Sequence, residues 1–313
     1  MLDPTELFPE VPNLYEFPSI HSDMIYDEHR VGAYRRAIER IVKKGDVVVD
    51  VGTGTGILAF LCLKAGAARV HAIDRSPVIN WARRLAETNG MADQIIFHQC
   101  DSRDANVGEQ ADVIVSELIG HMVFEEGMVE SISDAMERFL KPDGLLIPQA
   151  VTLYAAPVCE REIYKSCIDG WKPAYGIDYS VMREQAVEAS YVAEINERDL
   201  LATHQPIFSV DFLDRAQLEV HAEKAFEIHR DGEINGVAFW FDAKLTDTIR
   251  LSSGPWTKTH WKQCFTPLIR PRKVFAGELL DISFSMTLCE RKSDRFSFTV
   301  EIPQIDDHAT QET

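Results

Sequence analysis

The chain has 313 residues, 45% of them hydrophobic and 26% charged, and its 32 Lys and Arg against 50 Asp and Glu give a formal net charge of −18. This is an ordinary globular composition, long enough for two domains. An acidic surface without a basic cluster argues against a nucleic-acid partner and suits cationic ones, although solubility alone accounts for the charge equally well.

The N-terminus, "MLDPTELFPEVPNLYEFP", lacks the basic region and apolar core of a signal peptide. No apolar run approaches the ~18 residues of a membrane span. A cytoplasmic protein without a membrane partner is expected. Six cysteines (62, 100, 159, 167, 264 and 289) contain no C-x-x-C pair. They read as reduced thiols, with no metal site. Four prolines among residues 1–20 predict an extended lead-in.

From residue 21 to 148 strand and helix patterns alternate. "DMIYDEHRVGAYRRAIERIVKK" has helical spacing, "DVVVDVG" reads as a buried strand, and "GILAFLCLKAGA" as a helix ending at glycine. "VHAID", "PVINWARRLAETNG", "IIFHQCD", "ADVIVSE" and "GMVESISDAMERFL" continue the alternation. Lys141-Pro142-Asp143-Gly144 reads as a turn before "LLIP". Such alternation predicts an α/β fold, a parallel sheet covered by helices.

Over residues 149–313 the period changes. "ISFSMTL" and "RFSFTVEI" alternate apolar and polar residues, and Asn235-Gly236 is a hairpin signal. An antiparallel barrel or sandwich is expected. Residues 164–187, "YKSCIDGWKPAYGIDYSVMREQAV", carry aromatics on helical stretches and read as an insertion that packs on another chain. The tail "DDHATQET" is expected to fray.

Between the first strand and its helix stand Gly52, Gly54 and Gly56. Glycines there let backbone approach a ligand, and the helix N-terminus offers free N–H groups. A dinucleotide fingerprint requires its third glycine at position 57, which is isoleucine. The observed spacing suits an adenosyl ligand instead. Asp50 precedes the loop, and Asp74 closes the next strand, where an acid can accept from ribose hydroxyls.

Taken together, "VVDVGTGTGIL", "AGAARV", "SELIG" with "EEGM" nine residues on, "LKPDGLLIP" and "THWKQ" resemble the protein arginine methyltransferases over roughly residues 20 to 300. The resemblance implies a Rossmann-like domain binding S-adenosyl-L-methionine, a following β-barrel, and a dimerisation arm, hence a homodimer. It implies that Glu117 and Glu126 clamp the substrate guanidinium. Glu125 is the poorer partner by its spacing to "GM". Glu117 falls just past a strand, where open α/β sheets bind ligands. Paired carboxylates match the fork of guanidinium donors. A guanidinium has no free lone pair, so carboxylates on opposite sides must localise its charge and align one nitrogen with the methyl donor.

The resemblance further implies that Arg30 binds the cofactor's methionine carboxylate and that Met24 lines the methyl site. His21 joins the cofactor set, and Asp101 or Ser102 contacts adenine. Asp27 is implied to face His260 of the T-H-W motif, fixing the two domains and relaying a proton. The sequence departs from the family pattern at Val11 and Pro12, where an aromatic pair is usual, leaving Tyr15 as the aromatic in register. Leu118 and Ile119 stand where tryptophan and methionine are usual. Two substrates therefore stay open, an arginine-containing peptide and free L-arginine. The alternatives are methylation of a different O, C or N nucleophile, and a non-catalytic scaffold.

Overall fold

A computed structural model describes residues 18–214, 221–287 and 297–302. Residues 1–17 with Val11, Pro12 and Tyr15, the region of Cys289, and the C-terminal tail lie outside the described residues. Two compact units are present, and they do not divide at one point. The first comprises the described residues up to Leu118, then Val129–Gln149 and Lys244–Leu251. The second comprises Ile119–Met128, Ala150–Ala243 and the described residues from Ser252 onward. The boundary expected at 148/149 is thus crossed twice. Backbone pairing explains one crossing, since the Gln149 N–H donates to the Lys244 carbonyl at 2.8 Å.

In the first unit, α1 (Pro18–Ile25) and α2 (Glu28–Ile41) replace the single helix read from the sequence. Its break falls at Asp27, which sits at φ −70, ψ 97 and caps α2 by accepting from the Arg30 N–H. Pro18–Ile20, expected to be extended, belong to α1. Helix α2 buries Ala33, Tyr34, Ala37, Ile38 and Ile41, the stripe that helical spacing dictates.

There follow β1 (Val47–Val51), α3 (Ile57–Ala65), β2 (Arg69–Ile73), α4 (Ile79–Thr88), β3 (Ile95–His98), β4 (Ala111–Ser116), α5 (Met128–Phe139) and β5 (Leu140–Ile147). The five strands form one parallel sheet in the order β3-β2-β1-β4-β5. Strand order reverses at β1 and β4, where Val48 pairs with Val113 and Val51 with Ser116. Ligands of such sheets bind beyond the strand ends at that point. The expected turn at Lys141–Gly144 is instead a bulge inside β5: Ala111 pairs with Leu140 and Val113 with Leu145. Lys141 Nζ there meets Asp112, a partner no local turn rule anticipates.

The second unit holds two sheets. The larger contains β6 (Ala150–Val158), β7 (Tyr191–Ala193), β8 (Gln205–Asp211), β10 (Gly232–Lys244), β11 (Arg250–Ser252) and β12 (Gln263–Val274), with Lys244, Arg250 and Leu251 counted in the first unit. The smaller pairs β9 (His221–Glu227) with β13 (Leu279–Thr287) and β14 (Ser297–Glu301), antiparallel throughout. Asn235-Gly236 is not a hairpin turn. It lies inside β10, where the register with β12 shifts, and the buried Asn235 amide bonds both the N–H and the carbonyl of Glu160. The 164–187 segment contains a π-helical turn, Tyr164–Ile168, and α6 (Met182–Val187). Between them Tyr175 is wholly exposed and Trp171, Ile177 and Val181 are exposed.

Candidate active site

The three loop glycines have positive φ: 76° at Gly52, 54° at Gly54 and 87° at Gly56. A Cβ on Gly52 would stand 2.4 Å from the Leu118 side chain, so the chain leaving β4 closes tightly on the loop. The Gly54 N–H donates to Asp74 Oδ2 at 2.8 Å, and the Ser76 N–H to Oδ1 at 2.7 Å. Burial raises the Asp74 pKa, opposed by these two amides. The buried His21 lies beside them, with Cε1 3.8 Å from where a Gly54 Cβ would be. The fold therefore gathers His21, Gly54 and Asp74.

Asp50 stands behind the loop. Its Oδ2 accepts from Thr53 Oγ1 at 2.6 Å and from the Ala59 N–H at 3.1 Å. Its buried Oδ1 has no hydrogen-bond partner among the described residues, and burial pushes the acid up to about 7. Asp50 thus shapes the loop. The strand-end acid Asp74 and the side-chain-free start of α3 at Gly56 fit an adenosyl group.

Beyond β4, the Ser116 hydroxyl donates to the Val51 carbonyl at 2.9 Å, and the Tyr34 hydroxyl to the Ser116 carbonyl at 3.0 Å. These bonds fix the backbone that presents Glu117. Arg30 meets Glu117 Oε2 through Nε at 2.7 Å and Nη2 at 2.6 Å, while Nη1 donates to the Met24 carbonyl at 2.9 Å. Both side chains are buried, 8% and 6% exposed. Met24, Asp27, Arg30 and Glu117 are therefore brought together by α1, α2 and the end of β4.

Asp101 caps a short 3₁₀ turn, and both its oxygens meet the Arg103 guanidinium at 2.7–2.8 Å. That ion pair holds the acid down at about 2. The buried Ser102 offers its carbonyl to Arg138.

In the second unit, the 119–128 loop is anchored to the T-H-W motif: Trp261 Nε1 donates to the Ile119 carbonyl at 2.7 Å. Trp261 is buried edge-on against Phe241 at 4.9 Å. His260 is half-buried and tilts 4.0 Å from the Trp261 ring. Burial, and second the His260 charge, lowers the His121 pKa. Glu126 is half-buried on this loop. Glu125 instead accepts from the loop's own N–H groups at His121 and Met122.

Sequence reasoning missed Thr53, Tyr34, Leu118 as the loop's cover, and the Arg30–Glu117 pair. A T-x-T between glycines was the one available signal for Thr53. The others join residues too distant in sequence for any local pattern to link.

Residues 149–303 match the arginine methyltransferase oligomerization subdomain, and residues 35–151 match the family of ribosomal protein L11 methyltransferase (PrmA). Protein arginine N-methyltransferase 6 of Xenopus laevis is 33% identical over 290 residues, 88% of this chain and 84% of that protein. Probable protein arginine N-methyltransferase 6 of Arabidopsis thaliana is 36% identical over 241 residues, 74% of this chain but only 55% of that longer protein. Among solved structures, the Trypanosoma brucei PRMT1 enzyme-prozyme heterotetrameric complex with AdoHcy shares the fold at TM-score 0.83 and 24% identity, covering 93% of this chain and 94% of that one.

Loop and strand-end acids fit an adenosyl group, and the Xenopus laevis relative defines the class, an S-adenosyl-L-methionine-dependent methyltransferase, carried on an α/β fold with an antiparallel second unit. The chain belongs to the protein arginine N-methyltransferases.

Proposed function

We propose that this enzyme transfers the methyl group of S-adenosyl-L-methionine to a guanidino nitrogen of an arginine in a protein substrate. Glu117 and Glu126 act as the guanidinium clamp. The observation that carries this reading is Glu117 itself. It is a desolvated carboxylate one residue past β4, at the reversal point of the sheet, and it already holds a guanidinium, that of Arg30. A carboxylate so placed localises positive charge on the nitrogens it bonds and leaves another nitrogen to attack.

Arg30, Met24, His21, Gly52, Gly54, Gly56 and Asp74 form the donor site, and Asp50 holds its loop. When bound, S-adenosyl-L-methionine supplies an electrophilic methyl on a sulfonium. Asp27 and His260 form a supporting pair that accepts the proton released from the guanidinium. The acidic chain, −18 overall, suits a basic arginine-rich tail. Free L-arginine is the competing substrate, since Leu118 and Ile119 reshape the region beside the first clamp acid.

A homodimer in the cytoplasm is the working state, supported by the match to an oligomerization subdomain and by the exposed Trp171, Tyr175 and Ile177. Charge-neutral replacements test the clamp. Glu117→Gln and Glu126→Gln should each lower turnover on arginine by about 10²–10³-fold or more, with donor binding kept in calorimetry. Near-normal turnover in either variant would reassign the methyl acceptor.

A further inference from the structure

Two adjacent acids, Glu125 and Glu126, stand on the loop that follows Glu117, and the structure assigns them different work. We infer that Glu125 is a positioning residue whose carboxylate folds the loop around itself and so sets where Glu126 is presented. This deepens the clamp reading and rests on it.

Both Glu125 oxygens are committed to backbone. Oε1 accepts from the His121 N–H at 2.8 Å and Oε2 from the Met122 N–H at 2.9 Å. A carboxylate accepting two amide donors is a strong local staple. The backbone is tight enough to need one. Gly120 and Val123 form an isolated bridge, and Val123 takes φ 72, a conformation costly for a β-branched residue. Gly120 is shaped to the acid: an added Cβ would lie 2.5 Å from Glu125 Cγ and 2.5 Å from Oε1.

Two features tie the loop to the rest of its own unit. The Trp261 indole N–H holds the Ile119 carbonyl. The Cys264 thiol on β12 is pushed up to about 12, by burial first and by the Glu125 charge second, which puts the carboxylate near that strand. Ile119, Met122, Val123 and Phe124 are buried, so the loop is packed on one side and stapled on the other. Glu126 follows immediately and inherits that backbone path.

The test is a double-mutant cycle in the enzyme with Glu125→Gln and Gly120→Ala. A glutamine presents only one acceptor to the two amides, and the alanine Cβ evicts the carboxylate. Each single variant should lose up to about a hundred-fold in kcat/KM on arginine, the scale of an ångström-sized misplacement. The arginine KM should rise and kcat fall, while the KM for the methyl donor stays constant. The double variant should be no worse than the worse single one, because both remove the same staple.

Hydrogen exchange at the His121 and Met122 amides, protected in the parent, should speed up in both variants. Multiplying losses, a silent Glu125→Gln, or unchanged exchange would overturn the proposal. So would Glu125→Gln abolishing turnover while Glu126→Gln stays active, since Glu125 would then be the clamp. A folded, donor-bound parent inactive on any arginine would instead overturn the functional reading beneath it.

Discussion

Arg30 turns two nitrogens onto a single oxygen of Glu117, Nε at 2.7 Å and Nη2 at 2.6 Å, across 87 residues of sequence. Both groups are nearly closed to solvent. Two opposite charges taken out of water together are tolerated because each meets the other at hydrogen-bond distance. The same arrangement shows why a guanidinium is the natural guest of this corner. Its planar fork gives two donors to one acid, a match that an ammonium cannot make.

Removing Arg30 should therefore be far costlier than a surface charge loss. Arg30→Ala takes its guanidinium away from a buried carboxylate, and should destabilise the first unit by about 3–5 kcal/mol. Arg30→Lys should recover only part of this, because one compact charge cannot replace Nε, Nη1 and Nη2 together. Urea unfolding measures both, and an alanine variant within 1 kcal/mol of the parent (about the loss at an exposed pair) would show that the pair is not buried as described.

Gly52→Ala tests the loop. The φ of 76° disfavours any Cβ, and the new atom would strike the Leu118 side chain at 2.4 Å. Donor affinity should fall by about tenfold, the equivalent of roughly 1–2 kcal/mol of strain. Shortening Leu118 to alanine in that background should restore part of it. Isothermal titration with the methyl donor reads both, and full affinity in Gly52→Ala would show that the loop gives way to a Cβ and does not close tightly on Leu118.

Asp27 has one observed role and one proposed role, and a single substitution separates them. Its side chain caps α2 by accepting from the Arg30 N–H at 2.9 Å, and asparagine caps as well as aspartate does. Asp27→Asn should keep thermal stability and lose turnover, since it removes the negative charge proposed to face His260. Asp27→Ala should also lose about 1 kcal/mol of stability. If Asp27→Asn is fully active, the Asp27–His260 pair has no part in catalysis.

Asp50 makes a pH prediction. Its pKa is raised to about 7 in the fold, against ~3.9 in an unfolded chain. Between those values the unfolded state releases a proton that the folded state retains. Stability contributed by this group is full below pH ~4, declines as pH rises, and levels off above about 7. Asp74, raised in the same direction, adds to the slope. Asp50→Asn should flatten the decline between these limits in urea titrations at several pH values. An unchanged profile would mean that Asp50 ionises normally in the folded protein.

Much of the loop and strand-end geometry on which the proposed site rests was legible because local rules specify it. The glycines must have free space or positive φ, Asp74 must end a strand, and Glu117 must follow one. Spacing alone reaches those positions. What escaped was set by partners far along the chain. Asn235-Gly236 has hairpin composition, but tertiary bonds from Asn235 to Glu160 turn it into a bulge within β10. Lys141–Gly144 has turn composition, yet pairing of β5 with β4 continues past it.

The proposed division of labour between Glu125 and Glu126 was only hinted at by spacing. Sequence could rank the two acids but could not show that backbone amides had already taken one of them. Asp50 was expected among the donor contacts and lies behind the loop, because the Thr53 hydroxyl and the Ala59 amide draw its carboxylate inward.

The central claim is that a guanidino nitrogen receives the methyl group. Purified enzyme should be incubated with isotopically methyl-labelled S-adenosyl-L-methionine and, in parallel, a basic arginine-containing peptide and free L-arginine, with fragmentation mass spectrometry to locate the label. The account predicts label on an arginine side-chain nitrogen, and its loss in Glu117→Gln. Label on oxygen, carbon or another nitrogen, or none from a folded protein that binds the donor, would contradict it.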